Sequence, residues 1–135
     1  MAKNKMTMSQ LNNQIFTGQI GAETAAGLHT FSAAINNGFT LQNGNTRIRV
    51  DVAGTYFIFA RQLISTNTNT IYYQILKNGS VVAYDYRTAS IGTMDVNVSY
   101  TDTFAVNDYI ELGQSLSIAA CWAGPHSHIS IIRVA

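Results

Sequence analysis

Thr55-Tyr56-Phe57-Ile58-Phe59-Ala60-Arg61-Gln62-Leu63-Ile64-Ser65 is the stretch on which the fold turns. It follows an Ala53-Gly54 turn and is rich in β-branched and aromatic residues, so it reads as a strand. A strand in a two-sheet sandwich is apolar toward the core and polar toward solvent. Tyr56-Phe57-Ile58-Phe59 is apolar on both faces, and so is the end of the chain from Ile129 to Val134. Parallel sheets cover both faces with helices, but no long stretch here has helical periodicity with caps at both ends. The outer cover must then come from a second chain, or from a loop or the N-terminal segment. The expectation drawn from these two strands is an obligate oligomer.

Working outward, short apolar runs punctuated by Gly and Asn continue along the chain, with one proline in 135 residues. Strands are predicted over 14–20, 39–41, 47–52, 55–65, 70–77, 81–86, 93–104, 109–115 and 128–134. Asn78-Gly79 is the strongest hairpin signal, because both residues accept the positive φ of a tight turn. In 93–104 the alternation is clean, with Met94, Val96, Val98 and Tyr100 on one face and Asp95, Asn97, Ser99 and Thr101 on the other. Residues 24–34 are Ala-rich and could hold a helical turn, which Gly27 and Thr30 weaken. Residues 1–13 read as a polar arm, and 14–135 as a single domain. The fold class expected is all-β, a two-sheet antiparallel sandwich.

Composition narrows the function. Hydrophobic residues make up 47% and charged residues only 11%, against roughly 25% in an ordinary soluble protein. Asn, Thr, Ser and Gln take the place of charge, giving a surface that is easily desolvated and suited to protein–protein contact. The formal net charge is +1, and the eight basic residues are scattered, so no stripe follows a phosphate backbone. Nucleic acid is not an expected partner. No run of 18 apolar residues exists to span a membrane. Lys3 and Lys5 precede no apolar run, so no signal peptide is expected. The lone Cys121 cannot form an internal disulfide and, beside Trp122, reads as a small buried hydrophobe.

No catalytic pattern emerges. There is no Gly-x-Ser-x-Gly elbow and no Cys–His signature, no paired carboxylates and no phosphate-cradling glycine loop. His126-Ser127-His128 is the one His pair with alternate spacing, but no carboxylate or Cys stands at a helpful distance along the chain. The expectation is no enzyme, no cofactor and no metal. Tyr72, Tyr73, Tyr84 and Tyr86 lie on the two arms of the Asn78-Gly79 hairpin; Tyr72, Tyr84 and Tyr86 are the candidate ligand surface, with core packing and cross-strand pairing as the other reading.

Four short motifs in order carry a resemblance. Residues 52–59, Val-Ala-Gly-Thr-Tyr-Phe-Ile-Phe, resemble the glycine-x-tyrosine-x-phenylalanine strand of complement globular heads. Ile75-Leu76-Lys77-Asn78-Gly79 resembles the hairpin that follows it, and residues 104–112 are similar to that family's turn into its penultimate strand. Residues 127–134 stand where the family ends on its last strand. Asn107 replaces the family's turn glycine, and Ile131 replaces a glycine of the last strand.

The resemblance, to the complement-head and tumour necrosis factor jelly-roll superfamily, implies a jelly roll assembled as a trimer about a three-fold axis. One sheet of each subunit would face its neighbours. The strands from Thr55 and from His128 would lie in that sheet, giving a candidate trimer interface of Tyr56, Phe57, Ile58, Phe59, Ile129, Ile131 and Ile132. Some relatives bind calcium through loop carboxylates, for which Asp102 and Asp108 are the available residues. Bacterial viruses also use this fold, and the polar arm and uncharged surface suit a virion component.

The functional expectation is a trimeric capsid decoration (cement) protein. The arm residues Met6, Met8 and Leu11 would contact the major capsid protein or another virion protein. Synthesis would be cytoplasmic and the final location the virion. The alternative is the receptor-binding knob of a phage fibre, recognising a host surface glycan or protein. A soluble signalling trimer is a third class.

Overall fold

A computed structural model describes residues 14–66, 71–87, 92–115, 120–122 and 124–135. Twelve strands form two antiparallel sheets among them. The first sheet contains β1 (Ile15–Ile20), β3 (Phe31–Asn37), β6 (Gly54–Thr66), β9 (Gly92–Phe104), β11 (Ala120–Cys121) and β12 (Ser127–Arg133), in the order β3-β1-β12-β6-β9. The second contains β2 (Gly27–Leu28), β4 (Phe39–Gln42), β5 (Arg47–Val50), β7 (Ile71–Lys77), β8 (Ser80–Arg87) and β10 (Tyr109–Gln114), in the order β4-β5-β10-β7-β8. The short β11 pairs with β6 beyond the end of β12, and β2 pairs with β10 beyond the end of β5. This is the two-sheet sandwich expected from the alternating runs.

The inward residues of the two sheets meet in one core. Tyr56, Ile58, Ala60 and Ile64 of β6 and Ile129 and Ile131 of β12 are fully buried, packed with Ile48, Ile75, Ile110 and Leu112 from the second sheet. Edge-to-face contacts run from Phe16 through Phe39 and Tyr56 to Phe104, with centroids 5.4–6.0 Å apart. The buried Tyr56 hydroxyl donates to Val52 O at 2.6 Å, so the core gains the ring without an orphaned hydroxyl.

The turns answer to the residues that occupy them. Asn78 and Gly79 have φ of 53° and 83°, the left-handed pair that a two-residue hairpin demands. Asn107 has φ of 75° and so takes the backbone conformation that the resembled family gives to glycine.

Residues 24–34 do not contain a helical turn. Gly27–Leu28 and Phe31–Asn37 are strands instead. The second of these pairs with β1 along its length, and that ladder outweighs the helix propensity of its two alanines. Phe31 is its one buried residue, so little of the strand's pattern is visible in the chain.

Candidate functional site

The outward face of the first sheet is the surface on which the sequence argument rests, and strand register settles what it displays. Ile15, Ile132 and Phe57 are consecutive partners across β1, β12 and β6 and form one apolar row. The next row along the strands reads Ile35, Thr17, Ser130, Phe59 and Ser99. Ile35 is 55% exposed and Phe57 38%. One row further the face turns polar, with Gln19, His128, Arg61 and Asn97, and an exposed Arg61–Asp95 ion pair at 3.0 Å. Between β1, β3 and β12 lies a hollow of about 310 Å³ that touches Thr17, Gln19, Ala34 and His128. Gly18 keeps β1 and β3 close here, since a Cβ would sit 2.5 Å from Ser32 O.

This geometry corrects the expected interface set. Tyr56, Ile58, Ile129 and Ile131 point inward and are fully buried within the chain itself, so no neighbouring subunit can reach them. Successive strand residues alternate between faces, and only Phe57, Phe59 and Ile132 of that set remain outward. Ile15 and Ile35, which sequence reasoning missed, join them on the sheet face. The arm residues Met6, Met8 and Leu11 lie outside the described residues.

The outward face of the second sheet has a different character. The Arg47 guanidinium lies 3.8 Å from the centre of the Tyr109 ring, and its Nε is 3.6 Å from the nearly buried Glu111 carboxylate. Arg49 donates to Asp51 at 2.8 Å and to Thr40 Oγ1 at 3.1 Å. Beyond them the three candidate tyrosines come together. Tyr72 stands opposite Tyr86 and diagonal to Tyr84, with ring centroids 4.8 and 5.4 Å apart. Tyr84 is 60% exposed and Tyr86 50%, whereas Tyr73, on the other face of β7, is core.

A third assembly was not legible in the chain. At one end of the sandwich His29, Gln62, Tyr73 and Gln114 are buried together. Gln114 Nε2 donates to Ala25 O at 2.7 Å, which turns its Oε1 to accept from His29 Nε2 at 2.9 Å. The Tyr73 hydroxyl donates to Gln62 Oε1, while Gln62 Nε2 donates to Gly21 O at 3.0 Å. Glu23 accepts from Thr30 and stands 3.3 Å from His29 Nδ1. The network spans both sheets and the intervening loop, so its role is to satisfy polar groups where the core ends. Burial pushes the Tyr73 hydroxyl well above its ordinary range. Burial, with Glu23 nearby, pushes the Cys121 thiol up to about 12, so at neutral pH it is no nucleophile.

The remaining residues singled out from the sequence are tied up locally. His126 ends a short 3-10 turn (Gly124–His126), His128 lies on β12 against Phe59, and Ser127 between them donates to Trp122 O. Asp102 accepts from Lys77 and Tyr100, and Asp108 from Ala105 N and Asn78. Among the described residues no three His, Cys, Asp or Glu side chains gather as a metal-binding group, and no helix is long and apolar enough to cross a membrane.

No protein-family model matches the chain, and no curated protein matches it. Solved structures do. Murine APRIL at pH 5.0 is 12% identical with a TM-score of 0.73, covering 90% of this chain and 100% of its own. Murine APRIL at pH 8.5 is 13% identical with a TM-score of 0.71 over the same shares. Eiger TNF from S. frugiperda is 9% identical with a TM-score of 0.71, covering 92% of this chain and 94% of its own. The fold of this chain is thus a tumour necrosis factor-like jelly roll.

Proposed function

We propose that the chain is a non-catalytic structural protein that works as a homotrimer, its subunits joined through the outward face of the first sheet. One observation carries this reading. Phe57, Phe59, Ile132, Ile15 and Ile35 make a contiguous apolar surface, and it lies on the sheet that the resembled trimers turn inward. Contiguous apolar patches of this kind mark interaction sites in soluble proteins. A second copy is the favoured occupant because the fold type assembles through this sheet, and because the Arg61–Asp95 row beside the patch offers both signs of charge to a neighbour.

The narrower reading is a capsid decoration protein. It is supported by a surface with few charges, by the polar arm at 1–13, and by the use of this fold in virions. In that reading the arm contacts the major capsid protein, the protein resides in the virion, and neither nucleic acid, membrane nor cofactor takes part.

Sedimentation equilibrium tests the assembly. The expected mass is three times the 14.7 kDa of one chain. A stable monomer at micromolar concentration overturns the reading. Deleting residues 1–13 separates the two possible covers: a trimer that persists assigns the face to neighbouring subunits, and a monomer that becomes oligomeric assigns it to the arm. Unchanged capsid occupancy by the truncated chain would overturn the decoration role alone.

A further inference from the structure

The tyrosine cluster on β7 and β8 is neither core nor part of the proposed assembly face. Tyr72, Tyr84 and Tyr86 project from the opposite side of the sandwich, on the outward face of the second sheet. Three large rings stand exposed together, in a herringbone with interplanar angles of 60° and 67°. Burying any of them would be favourable. Their exposure on one contiguous patch therefore needs an occupant to explain it.

The chemistry around the rings selects that occupant. Among the described residues the three hydroxyls make no hydrogen bond, and neither does the half-buried Gln74 amide, the cross-strand partner of Tyr84. The patch thus combines ring faces with neutral donors and acceptors. Arg87, next to Tyr86 in the chain, alternates to the other face of β8, where Asp85 holds it at 2.9 Å and also accepts from Asn97 N. Among the described residues the cations of the second sheet, Arg47, Arg49, Lys77 and Arg87, each stand within ion-pair distance of a carboxylate. That leaves no free positive charge on this sheet for a phosphate backbone or an anionic lipid surface. Tyr is also common in protein hot spots, but those cluster in desolvated, well-packed pockets, whereas these rings stand exposed on an open sheet face. Rings that stack against C–H groups, with hydroxyls and an amide to pair with other hydroxyls, match a neutral sugar.

We propose that the shelf of Tyr72, Tyr84 and Tyr86, with the Gln74 amide beside it, binds a neutral saccharide chain. The shelf lies within one subunit, so a monomer would carry it as well. Failure of the trimer reading would leave this site untouched.

Affinity electrophoresis of the full chain tests it, in native gels cast with dextran, laminarin or galactomannan, and with heparin as an anionic comparison. The expected result is retardation in at least one neutral gel, and none in heparin beyond that of a control protein of similar charge. Tyr84→Ala and Tyr86→Ala should each weaken the retardation about tenfold. Tyr84→Phe, which keeps the ring, should retain most of it. Both sites are half exposed or more, so folding should survive; thermal melts of the variants check this. No retardation in any neutral gel overturns the proposal, as does equal retardation of folded Ala variants. Selective retardation in heparin would replace a saccharide stacking site with a charge site and overturn it too.

Discussion

On the outward face of the second sheet, Arg47 lies over Tyr109 beside Glu111, and Arg49 is clasped by Asp51 and Thr40. On the outward face of the first, Phe57 stands opposite Ile132 and Ile132 opposite Ile15, with no charged side chain in the row. Both faces come from the same two-residue alternation. Around β5 and β10 the second face finishes itself, since its long side chains fold down and pair within the chain. The first offers short apolar side chains that cannot cover one another, so water or another surface must meet them. A jelly roll can hold a complete core and still leave a row of apolar side chains on an outer face.

The sharpest way to break this contrast is to place charge on the uncovered face. Phe57→Asp with Ile132→Asp should reduce the sedimenting mass threefold, because burying two unpaired carboxylates in an interface costs more than that interface can return. Both sites are at the surface of the single chain, so the monomer should keep its circular dichroism. Arg47→Ala on the other face should leave the mass unchanged. Ile131→Ala tests the residue one step along the same strand. It should lower unfolding stability by about 2–5 kcal/mol through loss of a core side chain, with the oligomeric mass retained under native conditions. Denaturant titration extrapolated at fixed protein concentration reads the first quantity, and sedimentation the second.

Those paired outcomes also mark what the chain discloses and what it withholds. Asn78-Gly79 and the alternation from Met94 to Tyr100 are local signals, and the hairpin and β9 follow from them. Tyr56-Phe57-Ile58-Phe59 announces a strand but hides its inside, because apolar residues at every position satisfy either orientation. Burial against Ile48, Ile75 and Ile110 decides it, and those residues lie on another sheet. Gln62 and Gln114 break the apolar pattern at inward positions, which is a trace of the polar network. Their partners Gly21 and His29 are 41 and 85 residues away, so spacing along the chain could not assemble it. Strand β3 stayed hidden for a related reason: it is an edge strand with one buried residue, ordered by its neighbour β1.

A smaller effect sharpens the other side of the contrast. Glu111 is buried on the self-finished face, and Arg47 is its only ion-pair partner among the described residues. Glu111→Ala should lower stability by about 1–3 kcal/mol, the usual cost of stranding a partly buried polar group. Arg61→Ala, which opens the exposed pair on the first face, should cost less than about 1 kcal/mol in the separated subunit. A larger loss for Arg61→Ala than for Glu111→Ala would mean that the exposed face, and not the paired one, carries the electrostatic stabilisation.

The smallest effect is expected where the end of β7 meets β9, the edge strand of the first sheet. Lys77 of β7 donates to Asp102 of β9 at 2.8 Å, and the Tyr100 hydroxyl and Thr103 N donate to the same carboxylate. The Lys77 bond, aided by the other two, holds the Asp102 carboxyl down to about 2. The folded value lies below the unfolded one, about 3.9. The stabilisation is therefore present in full above that unfolded value and is lost as pH falls from about 4 toward 2. Asp102→Asn removes the titrating group and keeps the side-chain shape. The gap in unfolding midpoint between wild type and Asp102→Asn should be constant from pH 7 to 5 and then close as pH drops through that window. Because the pair is partly open to solvent, 1 M salt should narrow the gap at neutral pH as well. A gap that persists unchanged at pH 2 would assign the effect of the substitution to packing, and the two sheets would then be joined at this edge by shape and not by charge.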